Sequence, residues 1–237
     1  MRHIEKTQEP ESIQEWRNAQ EKTGVNLDYQ SFTRKPQLRN ELIAEQYGLC
    51  VYTGVPLDER LTGVAESNSN AVFQAHIEHI KPRVVCQREL ENRGGEYGKE
   101  ICEDMDYKNL VAALEVRNKP PAKNEVFGAA AKGKEPLPVT PIQQDCEQKF
   151  SFEGNGNVIG IEKEARESID LLRLNHTTLA GWREGAIQGY FTNEDGEPID
   201  YQQEDYEAII REMDTPLNGK LPEFCFCIKS YAESFLA

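Results

Sequence analysis

No stretch of this chain approaches the roughly 18 consecutive apolar residues that a membrane span needs. Nor does its opening, MRHIEKTQEPESIQEW, hold the apolar core of a secretory signal, so a soluble, cytoplasmic protein without a membrane partner is expected. The chain also lacks a cysteine framework. Its six cysteines, at 50, 86, 102, 146, 225 and 227, follow no regular spacing and read as reduced thiols. Internal repeats and low-complexity tracts are missing too. Positive charge is scarce: the formal net charge is −14 and the pI near 4.8, which taken alone argues against a direct grip on a polyanion.

The charge is unevenly spread. Residues 117–134 carry five basic residues (Arg117, Lys119, Lys123, Lys132, Lys134) against the single acid Glu125, whereas 191–214 carry nine acids against Arg211 alone. The basic run is either a solvated loop or a phosphate cradle. The acidic segment is either a solvated face or a surface that docks on a basic partner.

What is present is a chain with 38% hydrophobic residues, enough for a packed core at 237 residues. Ile13, Trp16 and Ala19, three apart after Pro10, predict a first amphipathic helix. KPQLRNELIAEQYG predicts a second, with Pro36 at its start and Gly48 at its end. From Cys50 to about 158 periodicity is thin, with a loop and short strand over SNSNAVFQAHIEHI and a hairpin-like turn at NGNVIG. EARESIDLLRLNHTTLAGWREGAI reads as one long helix, with His176 packed on its apolar face. CFC, 225–227, reads as a buried strand. The expected class is a mainly helical α+β fold, divided into a helical segment 1–48, a core 49–135, a hairpin and packing helix 136–190, and an acidic docking region 191–237.

AHIEHIKPR, residues 75–83, is the segment that could carry chemistry. Hydrolysis of a phosphodiester needs a base to take a proton from water and a positive charge to steady the departing oxygen. A histidine with a pKa near neutrality supplies the first, and a divalent ion the second. Glu78 and His79 offer an oxygen ligand and a base side by side, and Pro82 fixes the turn that follows. Further on, DYKNLVAAL sets Asn109 before an apolar run, where an asparagine can bridge two backbone segments. Lys123, Lys132 and Arg83 are candidates to meet phosphate oxygens. His76 shares a strand face with Glu78, as a further ligand, a substrate contact or an ordinary edge residue. The plain alternatives are a salt bridge for Glu78 to Lys81 or Arg83, a satisfied surface or core histidine for His79, and a turn or cap residue for Asn109.

LCVYTG, HIEHIKP and DYKNLVAAL, in that order, resemble the HNH endonucleases. With EPESIQEW, KGKEPLPVTPIQQDCEQKF and LLRLNHTTLAGWREGAI, the chain is similar over most of its length to the HNH subunits (PtuB) of Septu-type anti-phage systems, also found beside some retrons. The resemblance implies a ββα-metal core between N- and C-terminal helices, with Glu78 as metal ligand, His79 as general base and Asn109 positioning that base. It leaves the third HNH position open. Asn118, nine residues after Asn109, is one candidate metal ligand; in the other alignment FGAAAKGK fills that place and Asn118 is a loop residue. The implied ion is Mg²⁺ or Mn²⁺. Many relatives staple their loops with two Cys-x-x-Cys pairs, but here Thr53, Leu114 and Arg117 stand beside Cys50 at those positions. One thiol cannot build a four-ligand site, so no structural zinc is expected.

The function implied is that of a metal-dependent endonuclease subunit in a defence complex, cutting DNA by default, with a specific RNA such as a tRNA open. The implied partners are a PtuA-like ABC/SMC-type ATPase and, in retron-linked versions, a reverse transcriptase with its multicopy DNA. The alternative is a catalytically inactive HNH-fold adaptor that binds such an ATPase.

Overall fold

Pro10 and Pro36 start the first two helices, and the apolar spacing after each decides which face turns inward. A computed structural model of the chain describes residues 1–23, 27–57, 71–118 and 126–236. Helix α1 (Glu11–Thr23) buries Ile13 and Trp16, and the Trp16 indole meets the edge of Phe32 at 5.3 Å. Helix α2 (Lys35–Glu45) buries Leu38 and Leu42, then stops where Tyr47 and Gly48 adopt positive φ. A tight turn follows, in which the Cys50 amide bonds the Val55 carbonyl and Gly54 takes a φ of +78°.

Two nine-residue strands come next. β1 (Ala71–His79) pairs antiparallel with β2 (Leu110–Asn118), from His79 opposite Leu110 to Ala71 opposite Asn118. Residues 110–114 of β2 are buried on both faces, as their unbroken apolar run requires. The outer edge of β2 still needs partners for its backbone groups. At Leu110, Ala112 and Leu114 it has them. The Leu110 carbonyl accepts from Lys6 Nζ at 2.6 Å, Ala112 exchanges two bonds with the buried Gln46 amide, and the Leu114 amide donates to Cys50 Sγ at 3.2 Å. Cys50 and Leu114 therefore touch directly.

Between the strands lie helix α3 (Arg83–Asn92) and two short 3₁₀ turns, Glu103–Met105 and Tyr107–Asn109. The thin periodicity expected for this region is corrected here: it holds the longest strands and a helix. The helix carries a narrow apolar face, Cys86 and Leu90, which packs with Cys102 in a small core of its own. After β2, a four-residue helix α4 (Ala129–Lys132) sits between Gly128 and Gly133.

The hairpin expected around 155–160 is β3 (Phe150–Phe152) with β4 (Val158–Gly160). The single long helix predicted after it is two: α5 (Lys163–Leu172) and α6 (Thr177–Phe191). Arg173 turns to φ +49°, the Leu174 amide reaches back to Ile169 in a Schellman-type bond, and His176 caps α6 by accepting from the Thr178 amide. The apolar residues stay in phase across the break, so their spacing hides it. Asn175, in the interruption, bonds both backbone groups of Val158. Helices α7 (Gln203–Asp214) and α8 (Cys225–Glu233) complete the chain. CFC is the first turn of α8 and not a strand. Its alternating pattern arose because this turn is buried on all sides.

The fold is thus α+β, with eight helices and two small antiparallel sheets among the described residues. One main core runs from Ile13 and Leu42 through β2 to Phe226 of α8, so the last helix shares the packing of the central ribbon. No described helix is long and apolar enough to cross a membrane.

Candidate active site

Glu78 and His79 are consecutive at the end of β1, so the pleat sends them to opposite faces of the ribbon. His79 enters a pocket where it is 7% exposed, with its ring edge-on to Tyr29 at 4.5 Å. Its Nε2 lies 3.0 Å from the backbone carbonyl of Asp104. A carbonyl only accepts, so Nε2 carries the proton and Nδ1 of the neutral ring keeps a lone pair. Burial lowers the pKa of this histidine to about 4, outweighing the Asp104 carbonyl and the nearby Glu78 charge. At neutral pH it is an uncharged acceptor.

The carbonyl that holds His79 is itself held. Asn109, buried in the turn before β2, accepts from the Lys81 amide at 2.7 Å and donates to the carbonyls of Lys81 and Glu103, each at 3.1 Å. It thereby ties the chain leaving β1 to the residue just before Asp104. This is the bridging role that the sequence allows for Asn109. Asp104 is fully buried. Its Oδ2 accepts from Tyr97 at 2.6 Å, while Oδ1 has no hydrogen-bond partner. Arg83 lies 5.0 Å over the Tyr29 ring with Nε 3.7 Å from Asp104 Oδ2, its side chain partly open to solvent. Tyr29, Tyr97 and Asp104 were missed by sequence reasoning. They come from loops without periodicity, and only Asp104, two residues before DYKN, stood near a motif.

On the other face of β1, Glu78 meets three groups. Lys132 of α4 reaches its Oε1 at 2.7 Å, and the same ammonium donates to the His79 carbonyl at 2.9 Å. His76, two residues back on the strand, faces Oε2 at 3.3 Å. The buried Tyr52 feels the Glu78 charge, which adds to the effect of burial in pushing the phenol well up. Burial also pushes the Glu78 carboxyl up, but the bonds from His76 and Lys132 outweigh this and hold it below its ordinary value, so it is ionised. Lys132 is 2% exposed. That corrects its expected role as a phosphate contact, because its charge is spent inside the fold on Glu78.

Asn118 is not brought to this site. The register sets it opposite Ala71, seven places along the ladder from Glu78, or about 23 Å at the rise of a strand. A common metal on Glu78 and Asn118 does not fit this pairing. Lys123 lies outside the described residues. Two cavities among the described residues, of about 490 and 250 Å³, lie elsewhere: one between the 47–56 turn and α6, the other between α6 and the C-terminal helices.

Among the described residues no three His, Cys, Asp or Glu side chains converge as a metal site. Mg²⁺, however, keeps several waters and needs only one or two protein ligands. The surroundings of Glu78 suit a hydrated ion in one respect. The Tyr52 hydroxyl and His76 Nδ1 are buried there without hydrogen-bond partners, and bound water would satisfy both. With Lys132 on Oε1 the carboxylate is already answered, so a divalent ion on Glu78 would require Lys132 to be withdrawn.

The depressed pKa of His79 makes stability depend on pH. The unfolded chain takes up the proton near pH 6.5 and the folded chain only near 4, so stability falls as pH drops through this window. The shift is worth about 3 kcal/mol in all. Urea unfolding across pH 4–6.5 is expected to lose this component in His79→Gln; parallel pH profiles for the two proteins would contradict the buried, neutral ring.

No protein-family model matches this chain, and no curated protein matches it closely enough to count as a relative.

Proposed function

We propose that this chain is an HNH-type, metal-dependent endonuclease that works as the nuclease subunit of an anti-phage defence complex. The observation that carries the reading is the end of the β1–β2 ribbon: His79, neutral, with Nε2 fixed on the Asp104 carbonyl and Nδ1 left as acceptor, next to an ionised Glu78. The pairing of β1 with β2, with His79 closing the first strand, Asn109 preceding the second and the short α4 following, supports this reading, although α3 lies between the strands.

In this mechanism His79 Nδ1 takes the proton of the attacking water. The Asp104 carbonyl keeps the ring oriented and remains an acceptor for Nε2–H once the ring is charged. Asn109 is a positioning residue: it fixes the 103–104 backbone that in turn fixes His79. Arg83, on the solvent side of Tyr29, meets a phosphate oxygen of the substrate. Glu78 would hold Mg²⁺ or Mn²⁺, which would supply polarisation of the phosphate and stabilisation of the leaving oxygen. The reaction needs no 2′-hydroxyl, so DNA is the default substrate and a specific RNA such as a tRNA the alternative. The test is cleavage of mixed DNA and RNA with Mg²⁺ or Mn²⁺, by the protein alone and with its co-expressed neighbours, beside a His79→Ala control. The substrate consumed identifies the target.

An acidic chain that cuts a polyanion gains from a basic partner, here a PtuA-like ABC/SMC-type ATPase, with a reverse transcriptase and its multicopy DNA in a retron setting. Glu194, Glu197 and Glu204 are exposed on and before α7. Reversing all three to lysine is expected to cost at least tenfold in affinity for that ATPase, seen as loss of co-purification with thermal stability unchanged. Undisturbed assembly would place the interface elsewhere.

A second reading, an inactive HNH-fold adaptor, is favoured by one observation: Lys132 already neutralises the carboxylate that a metal needs. On that reading His79→Ala leaves both cleavage and defence unchanged.

A further inference from the structure

A buried ammonium on Glu78 is not what a resting divalent-metal site calls for. Lysine is almost never fully buried unless its charge is answered. Here it is answered by one carboxylate oxygen at 2.7 Å and one backbone carbonyl at 2.9 Å, and both belong to the pair of residues proposed to do the chemistry. We propose that Lys132 is the resident counter-cation of Glu78, occupying the divalent ion's place in the resting chain, and that the ion binds only as Lys132 is displaced on the 128–133 segment.

Three observations carry this. First, ammonium and metal ion compete for the same oxygen, and two cations side by side on one carboxylate repel strongly where water is scarce. Second, the polar groups around Glu78 are incompletely satisfied while Lys132 is in place. Tyr52 Oη and His76 Nδ1 have no partner, as expected of a site whose hydrated occupant is replaced by a smaller, drier one. Third, the lysine rides on a short element flanked by glycines. Helix α4 is only Ala129–Lys132, bounded by Gly128 at φ +65° and Gly133 at φ +58°. One end is anchored by the Gly128 amide on the Leu172 carbonyl at 2.7 Å, whereas a Cβ placed on Gly133 would meet no atom within 4 Å. Glycine at both ends lets the segment change φ at low steric cost.

Withdrawal of Lys132 has two linked effects. It frees Glu78 Oε1 for the ion, and it releases the backbone carbonyl of His79, so one movement alters both halves of the site. Whatever pulls the 128–133 segment outward therefore raises metal affinity, and by reciprocity the metal favours the outward segment.

The inference rests on Glu78 as the metal-binding carboxylate, and binding measured without cleavage separates the two. Mn²⁺ is titrated into the full, metal-free chain and the loss of the free-ion EPR signal recorded for wild type, Lys132→Met, Lys132→Gln and the double variant Glu78→Gln/Lys132→Met. Lys132→Gln keeps a donor for Oε1 and guards against a Lys132→Met protein that fails to fold. Both single variants are expected to bind Mn²⁺ at least tenfold more tightly than wild type, with the gain lost in the double variant. In thermal unfolding, Mn²⁺ is expected to raise the Tm of Lys132→Gln by more than that of wild type. Equal Mn²⁺ affinity in wild type and the single variants overturns the displacement while keeping Glu78 as ligand. If no protein binds Mn²⁺, or the double variant keeps the gain, the displacement and the Glu78 assignment both fall.

Discussion

Replacing His79 with alanine is expected to lower the cleavage rate by two to four orders of magnitude, the usual contribution of a positioned general base, ~10²–10⁴-fold. The ring has one available nitrogen. Nε2–H is committed to the Asp104 carbonyl, so of the two ring nitrogens only Nδ1 can take a proton from water. His79→Gln fills the same space without a basic nitrogen and is expected to be as inactive, which separates lost chemistry from lost packing. Single-turnover cleavage with saturating Mn²⁺ reads the effect. Substrate binding, measured by fluorescence anisotropy, should change by less than about threefold, because the truncated ring makes no charge contact. Full activity in either variant would remove His79 from the mechanism.

The second large effect is on stability. Asn109→Ala leaves the Lys81 amide and the carbonyls of Lys81 and Glu103 without their partners in a buried turn. At about 1–3 kcal/mol for each unsatisfied buried group, and allowing for some entry of water, the loss is about 3–5 kcal/mol. Asn109→Asp is the sharper variant. It has almost the same shape, but a carboxylate cannot donate and would face two carbonyl oxygens, so it is expected to be at least as damaging as alanine. Equilibrium urea unfolding of the three proteins measures both. A loss below about 1 kcal/mol in Asn109→Asp would mean that the clamp is solvated and does not hold the 103–104 backbone.

Much of the frame was legible because it rests on local rules. Pro10, Pro36 and Gly48 mark helix ends through their own backbone limits, and NGNVIG turns the hairpin. What escaped depends on distant residues. The α5–α6 break at Arg173 leaves the apolar phase intact, and only the fit of Asn175 to Val158 accounts for it. CFC lies in a helix that is buried on every side, where alternation and helical spacing look alike. Glu78, His79 and Asn109 could be singled out because their chemistry and spacing sit within short motifs, and the structure sets all three at one end of the ribbon. Lys132 was singled out for its charge, yet its buried pairing with a carboxylate 54 residues away has no local signature. Asn118 failed for the opposite reason. Its sequence distance from Asn109 fits, but β2 runs straight on for nine residues and carries it away from Glu78.

The ribbon's strands are joined not by a tight turn but by residues 80–109, and this governs when the site can exist. Zipping β1 onto β2 first requires closing that long loop, an entropic cost met before any contact repays it. The bonds that orient His79 and satisfy Asn109 run between residues 79–81 and 103–109, across the closed loop. They form only with the closure itself, and Lys132 joins from beyond β2. On the proposed function, a nascent or partly unfolded chain therefore carries the motif without the nuclease, and the cell meets the activity only in molecules whose ribbon has already closed.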